Sequence, residues 1–195
     1  MAMIEAKNRD IWIVILMGVS GSGKTTVGQL LAGSLGWSFY EGDDFHSQGN
    51  VSKMLAGVPL SDEDRVPWLS AIHQLVHELI RKSQRAVITC SALKKTYRKF
   101  ITEGHPHVAV VYLRGNYAVI HSRLRSRPDH FMKADLLASQ FSVLEEPHEA
   151  PSIDASQAPE VIVEQIKGML HLHPRSQPCH TPIRQAANDN DIDPG

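Results

Sequence analysis

Eight consecutive residues carry the plainest chemistry in the chain: Gly18-Val19-Ser20-Gly21-Ser22-Gly23-Lys24-Thr25 follow the pattern G-x-x-x-x-G-K-[ST]. Glycines at this spacing let successive backbone N–H groups curl around a phosphate, and the N-terminus of a following helix adds its positive end. Lys24 reaches the outer phosphates and the Thr25 hydroxyl suits Mg²⁺. Gly18, Ser20, Gly21, Ser22, Gly23, Lys24, Thr25 and Thr26 are therefore the candidate nucleotide-binding residues. Such a loop binds phosphates whatever the rest of the chain does, so it admits a kinase, a GTPase switch or a motor. The chain has no N-K-x-D guanine reader and no D-x-x-G after its second or third strand, which disfavours the switch.

A second set of polar residues lies at Glu41-Gly42-Asp43-Asp44-Phe45-His46. A carboxylate there can accept hydrogen bonds from neighbouring hydroxyls and take the proton from the one being phosphorylated. Asp43 is the candidate base, while Asp44 reads equally as a helix cap or a solvated loop acid. His73 and His77 stand four apart on an expected helix, but with no H-E-x-x-H pattern and no third ligand nearby they read as a plain helix face.

The elements that must position these groups alternate. Residues 11–17 form an apolar, β-branched run without alternation, as expected for a strand covered on both faces. The glycine loop follows, then a helix over Thr25–Leu35 closed by Gly36. Further strands are expected at 37–40, 86–90 and 108–113, with helices at 66–81, 94–103, 117–124, 134–144 and 159–170. Ser61 followed by Asp64 resembles a capping box, which moves the start of the long helix to about Asp62. Strands alternating with helices demand right-handed crossovers, so the fold class is α/β with a parallel sheet. From His171 the sequence collects Pro, His, Asn and Asp and loses periodicity, so 1–170 reads as one domain and 171–195 as a disordered tail.

Composition narrows the partners. The 195 residues carry 20 Lys+Arg against 21 Asp+Glu, so no basic field points to nucleic acid or to an acidic membrane. The most apolar early segment is too short to span a bilayer. Two cysteines, Cys90 and Cys179, form no disulfide framework, and with no targeting segment visible the expected compartment is a reducing cytoplasm.

Several stretches together resemble the gluconokinase family, a branch of the shikimate-kinase-like P-loop kinases. They are GVSGSGKTTVG (18–28), GDDFH (42–46), NVSKMLAGVPL (50–60), DEDRVPWL (62–69), SALKKTYR (91–98) and HFMKADLLASQFSVLE (130–145). The resemblance implies a five-stranded P-loop NTPase fold with a small lid at about 123–135. It also implies ATP and Mg²⁺ as cofactors, and transfer of the γ-phosphate to the 6-hydroxyl of D-gluconate. Because gluconate joins a carboxylate to a polyhydroxy tail, Arg65 and Lys53 are the candidate cations for its charged end. By the same likeness His46, Lys94 and Gln140 would face substrate, and Ser91 would order the metal's water shell where other P-loop proteins carry an acid. Arg123 and Arg127 share a helix face and would close from the lid over the phosphates, leaving Arg125 to solvent. The family also suggests a homodimer. Glu41 stands where an aspartate is usual, and the stretch 146–154 is poorer in acids than the family pattern near the adenine. Two other readings stay open: a shikimate or nucleoside-monophosphate kinase of the same shape, and a nucleotide-binding module without catalysis.

Overall fold

The computed structural model describes residues 10–125 and 134–174. Strand β1 (Ile13–Met17) is buried at every position and is flanked by parallel strands β3 (Ala86–Thr89) and β4 (Val108–Arg114). Strands β2 (Ser38–Glu41) and β5 (Ser152–Asp154) form the edges, giving a five-stranded parallel sheet in the order β2-β3-β1-β4-β5. A central strand in such a sheet has no wet face, which is why 11–17 shows no polar alternation.

Successive side chains of a strand point to opposite layers. Val14 and Leu16 pack with Val87, Val111 and Leu113 against helices α1 (Lys24–Leu35) and α7 (Pro159–Leu170). Ile13, Ile15 and Met17 pack with Ile88 against α3 (Asp62–Arg81) and α4 (Lys95–Thr102). Each such side chain contributes about 1.5–3 kcal/mol by leaving water. Packing continues past α7, with Leu172 buried in the first layer.

Helix α2 (Gln48–Leu55), absent from the expected elements, starts at Ser47, whose Oγ accepts from the Asn50 N–H. Its sequence is polar apart from Val51, Met54 and Leu55, so periodicity was too thin to announce it. The Ser61–Asp64 capping box is present and sets the start of α3 at Asp62. Helices α5 (Tyr117–Arg125) and α6 (Ala134–Val143) flank residues 126–133, so most of the expected lid lies outside the described residues. The sheet has the five strands that the family resemblance implies, and the three-residue β5 is the one the residue pattern does not place. Among the described residues no helix is long and apolar enough to cross a membrane.

Candidate active site

Ligands in open α/β sheets bind beyond the carboxyl ends of the strands, and here β1, β2 and β3 each deliver one part of a cleft there. From β1 comes the glycine loop. Gly18 has φ +148°, and a Cβ on it would lie 2.8 Å from the Leu113 carbonyl, so no other residue lets the loop leave the sheet at this angle. Ser22 Oγ is buried in the loop without a hydrogen-bond partner among the described residues. The Lys24 ammonium donates to the Val19 carbonyl at 3.0 Å. Removal from solvent lowers the Lys24 pKa, and the charges of Asp43 and Glu41 partly oppose that shift. The Ser20 N–H donates to Gln140 Oε1 at 2.7 Å, which ties α6 to the loop. A backbone cradle ending in a desolvated lysine fits a nucleotide's phosphates.

Strand β2 delivers the acids. Gly42 runs so close to β3 that a Cβ would meet the Thr89 carbonyl at 2.0 Å, and its own carbonyl accepts from Trp68 Nε1 at 2.7 Å. Trp68, almost fully buried on α3, thereby fixes the 3₁₀ turn Gly42–Phe45. The turn separates its two acids: Asp43 lines the cleft with Lys24, while Asp44 faces a different groove beside Thr25 and Glu41. Glu41 itself accepts from the Thr25 hydroxyl at 2.6 Å and from the Thr89 hydroxyl. Hydroxyl and carboxylate oxygens together are the donor set that Mg²⁺ takes. Strand β3 ends at Thr89 and is followed by Cys90 and Ser91 with no acid, so Glu41 from the neighbouring strand is the carboxylate at the Thr25 position. Cys90 is a buried free thiol whose pKa burial pushes up to about 12, which leaves it unreactive.

The first turns of α3 deliver the charge. Asp62 accepts from Lys94 at 2.7 Å and from the Tyr97 hydroxyl, and Asp64 accepts from Lys53 at 2.7 Å. Arg65, which follows these occupied acids on the same helix, forms no ion pair among the described residues. It lines the cleft, donates Nη2 to the Leu60 carbonyl at 3.2 Å, lies over the Tyr97 ring, and leaves Nε buried without a partner. His46 stacks on Trp68 with ring centroids 4.4 Å apart. Burial, helped by the Arg65 charge, pulls its pKa down to about 4, so the imidazole is neutral at pH 7. The Asp64 carbonyl accepts from Asn50 Nδ2 at 2.7 Å, and the same amide nitrogen lies 3.5 Å from His46 Nδ1. Nδ1 is thus the acceptor, and Nε2 keeps its proton as a donor.

Of the sequence-expected residues, Ser20, Lys24, Asp43, His46, Arg65, Ser91 and Gln140 line one cleft. Gly18, Gly21, Gly23, Thr25 and Thr26 complete the loop and its first helical turn. Lys53 and Lys94 do not line the cleft; they neutralise the two aspartates that would otherwise compete for Arg65. Arg123 donates to the carbonyls of Ala155 at 2.8 Å and Ser156 at 3.5 Å, against the β5–α7 loop rather than in the cleft. Arg127 lies outside the described residues. Glu41, Asn50, Trp68 and Ser139 were not among the expected site residues, nor was the apolar wall of Met54, Val58, Leu60 and Leu136. For Glu41 a signal existed, since it departs from the usual residue at that position.

A parallel sheet whose central strand feeds a phosphate cradle, facing an acid and a guanidinium across one cleft, defines a P-loop kinase for a small acceptor. A shikimate kinase family model matches residues 20–168. A probable gluconokinase of Mus musculus is 47% identical over 152 residues, covering 69% of this chain and 83% of the mouse protein. The thermoresistant gluconokinase of Escherichia coli is 45% identical over 144 residues, 74% of this chain and 82% of its own length. The crystal structure of a gluconokinase from Sinorhizobium meliloti superposes with a TM-score of 0.73 at 38% identity, covering 84% of this chain and 94% of that one. The chain belongs to the gluconokinase family, within the shikimate-kinase-like P-loop kinases.

Proposed function

We propose that this enzyme is a gluconokinase that transfers the γ-phosphoryl group of ATP to the 6-hydroxyl of D-gluconate, giving 6-phosphogluconate and ADP. The observation that carries the substrate is Arg65. Its guanidinium lines the cleft that holds Lys24 and Asp43, and its acidic neighbours are taken up by Lys53 and Lys94. A fork left free in this way suits a carboxylate, and a shikimate or gluconate carboxylate answers it better than a nucleobase does.

In this reading the loop from Gly18 to Thr26 binds the ATP phosphates, and Lys24 neutralises charge at the outer ones. Thr25 and Glu41 would hold Mg²⁺, with Ser91 ordering its water, and the ion would supply charge stabilisation to the phosphates. Asp43 accepts the proton of the attacking hydroxyl, and Arg65 holds the substrate carboxylate at the other end. His46 Nε2–H and Gln140 hydrogen-bond the chain of hydroxyls between them. Arg123 and Arg127 act from the side of the lid on the nucleotide. Lys53 and Lys94 act through Asp64 and Asp62, keeping Arg65 aimed. The same reading carries a cytoplasmic homodimer that uses neither nucleic acid nor membrane.

The test is product identity. Gluconate incubated with Mg-ATP and the enzyme should yield a product that 6-phosphogluconate dehydrogenase oxidises with one NADP⁺ reduced per ADP formed. ADP formation without NADP⁺ reduction would place the phosphate elsewhere and end the assignment of the 6-hydroxyl.

A further inference from the structure

Three histidines that the kinase site does not use meet along the C-terminal half of α3. His73 and His77 lie one turn apart, and His105 from the α4–β4 loop packs against both, with ring centroids 5.1 Å and 5.6 Å away. Two polar atoms set this apart from plain ring packing. His73 Nδ1 lies 3.3 Å from the Ile101 carbonyl. A carbonyl only accepts, so Nδ1 holds the proton and Nε2 keeps its lone pair, the arrangement a backbone carbonyl gives a metal-binding imidazole. His105 Nε2 is buried without a hydrogen-bond partner among the described residues, a costly state for a ring nitrogen unless something binds it. Burial, with the two neighbouring imidazoles, also holds His105 below its ordinary pKa.

We propose that His73, His77 and His105 form a three-nitrogen site for a borderline divalent transition cation of the zinc, cobalt or nickel class, separate from the Mg²⁺ centre. A metal–nitrogen bond of about 2.0–2.1 Å places two imidazoles on one tetrahedral ion with centroids about 5 Å apart, close to the spacing found. Three imidazoles without a carboxylate do not suit Mg²⁺. Glu78 borders the groove beside His73 and His77 but is held by Arg81 and Lys82, so the fourth position falls to water. Among the described residues no three such side chains already converge on one point. The adjustment falls to His77, which is exposed and turns about its own side-chain bonds, while His73 and His105 are the more enclosed pair. The ion would tie the loop before β4 to the helix whose other end carries Arg65 and Trp68.

The experiment is a Co²⁺ titration of the untagged full-length protein, read by the visible ligand-field band of tetrahedral cobalt and by the melting shift with Zn²⁺. A second protein with His171, His173 and His180 all replaced by Asn removes the other histidine-rich stretch as a competitor. The expected result is one equivalent of cobalt in both proteins, weakened at least about tenfold by His105→Asn and by His77→Asn, with kcat/KM for gluconate unchanged. His77→Asn, at an exposed position, keeps the test decisive should His105→Asn fold poorly. An undiminished band in His77→Asn, a band lost with the tail histidines, or no stoichiometric binding at all would overturn the site.

Discussion

Replacing Arg65 by alanine should damage recognition of the acceptor and spare that of the nucleotide. The guanidinium lines the cleft with no carboxylate partner among the described residues, and its Nε is buried without a hydrogen bond. Hydrogen bonds to a charged group contribute about 1.5–3 kcal/mol. At 1.4 kcal/mol per factor of ten, the KM for gluconate should rise roughly 10- to 150-fold. The KM for ATP should stay within about twofold, since the nucleotide is held by the loop 18–26 instead. Arg65→Lys should recover only part of the loss, because an ammonium keeps the charge without the planar fork. Initial rates over a grid of gluconate and ATP concentrations measure both constants. A neutral polyol acceptor, glucitol, sharpens the comparison, since its weak turnover should hardly change in the variant. An equal rise in both KM values, or an equal loss for gluconate and glucitol, would show that Arg65 shapes the cleft instead of binding a carboxylate.

Glu41→Gln should raise the Mg²⁺ concentration for half-maximal rate by about 10- to 100-fold with the gluconate KM unchanged, because Glu41 is the carboxylate hydrogen-bonded to Thr25; a Mg²⁺ titration measures it. The His46 imidazole should titrate near pH 4 in an NMR pH series, and a value near 6.5 would contradict its burial on Trp68. Its folded pKa is depressed, so the unfolded chain binds the extra proton first, and stability present above about pH 6.5 should be lost as pH falls towards 4. With solvent screening that loss is of the order of 1–2 kcal/mol. Trp68→Phe removes the bond to the Gly42 carbonyl and should cost about 1–3 kcal/mol, a fall of roughly 2–12 °C in Tm, together with a lower kcat as the Asp43 turn loosens.

The parts of this molecule that were legible in the sequence are those where local pattern and tertiary demand agree. The unbroken apolar run ending at Met17 needs burial on both sides, and the glycine loop after it can serve only a strand-to-helix turn, so β1, the loop and α1 could be placed directly. The α3 start was equally readable, because Ser61 and Asp64 satisfy the orphan N–H groups themselves. Strand β5 was not, since three residues give no period and its pairing with Tyr112 to Arg114 is a tertiary fact. The second strand illustrates a smaller shift: it begins at Ser38 because Trp37 is drawn into the layer under α1, and this carries Glu41 to the strand end beside Thr89. The chemical types at the site could be read from single residues, whereas their pairing could not. That Lys53 and Lys94 serve Asp64 and Asp62, and so free Arg65, depends on contacts between residues 11 and 32 positions apart.

The most direct test is ADP release from Mg-ATP with parallel acceptors, gluconate, shikimate and AMP, using Lys24→Ala as the control. Gluconate-dependent release that disappears in Lys24→Ala, with shikimate and AMP near background, is the expected result. Release with shikimate or AMP in preference to gluconate, or none with any acceptor, would contradict the account.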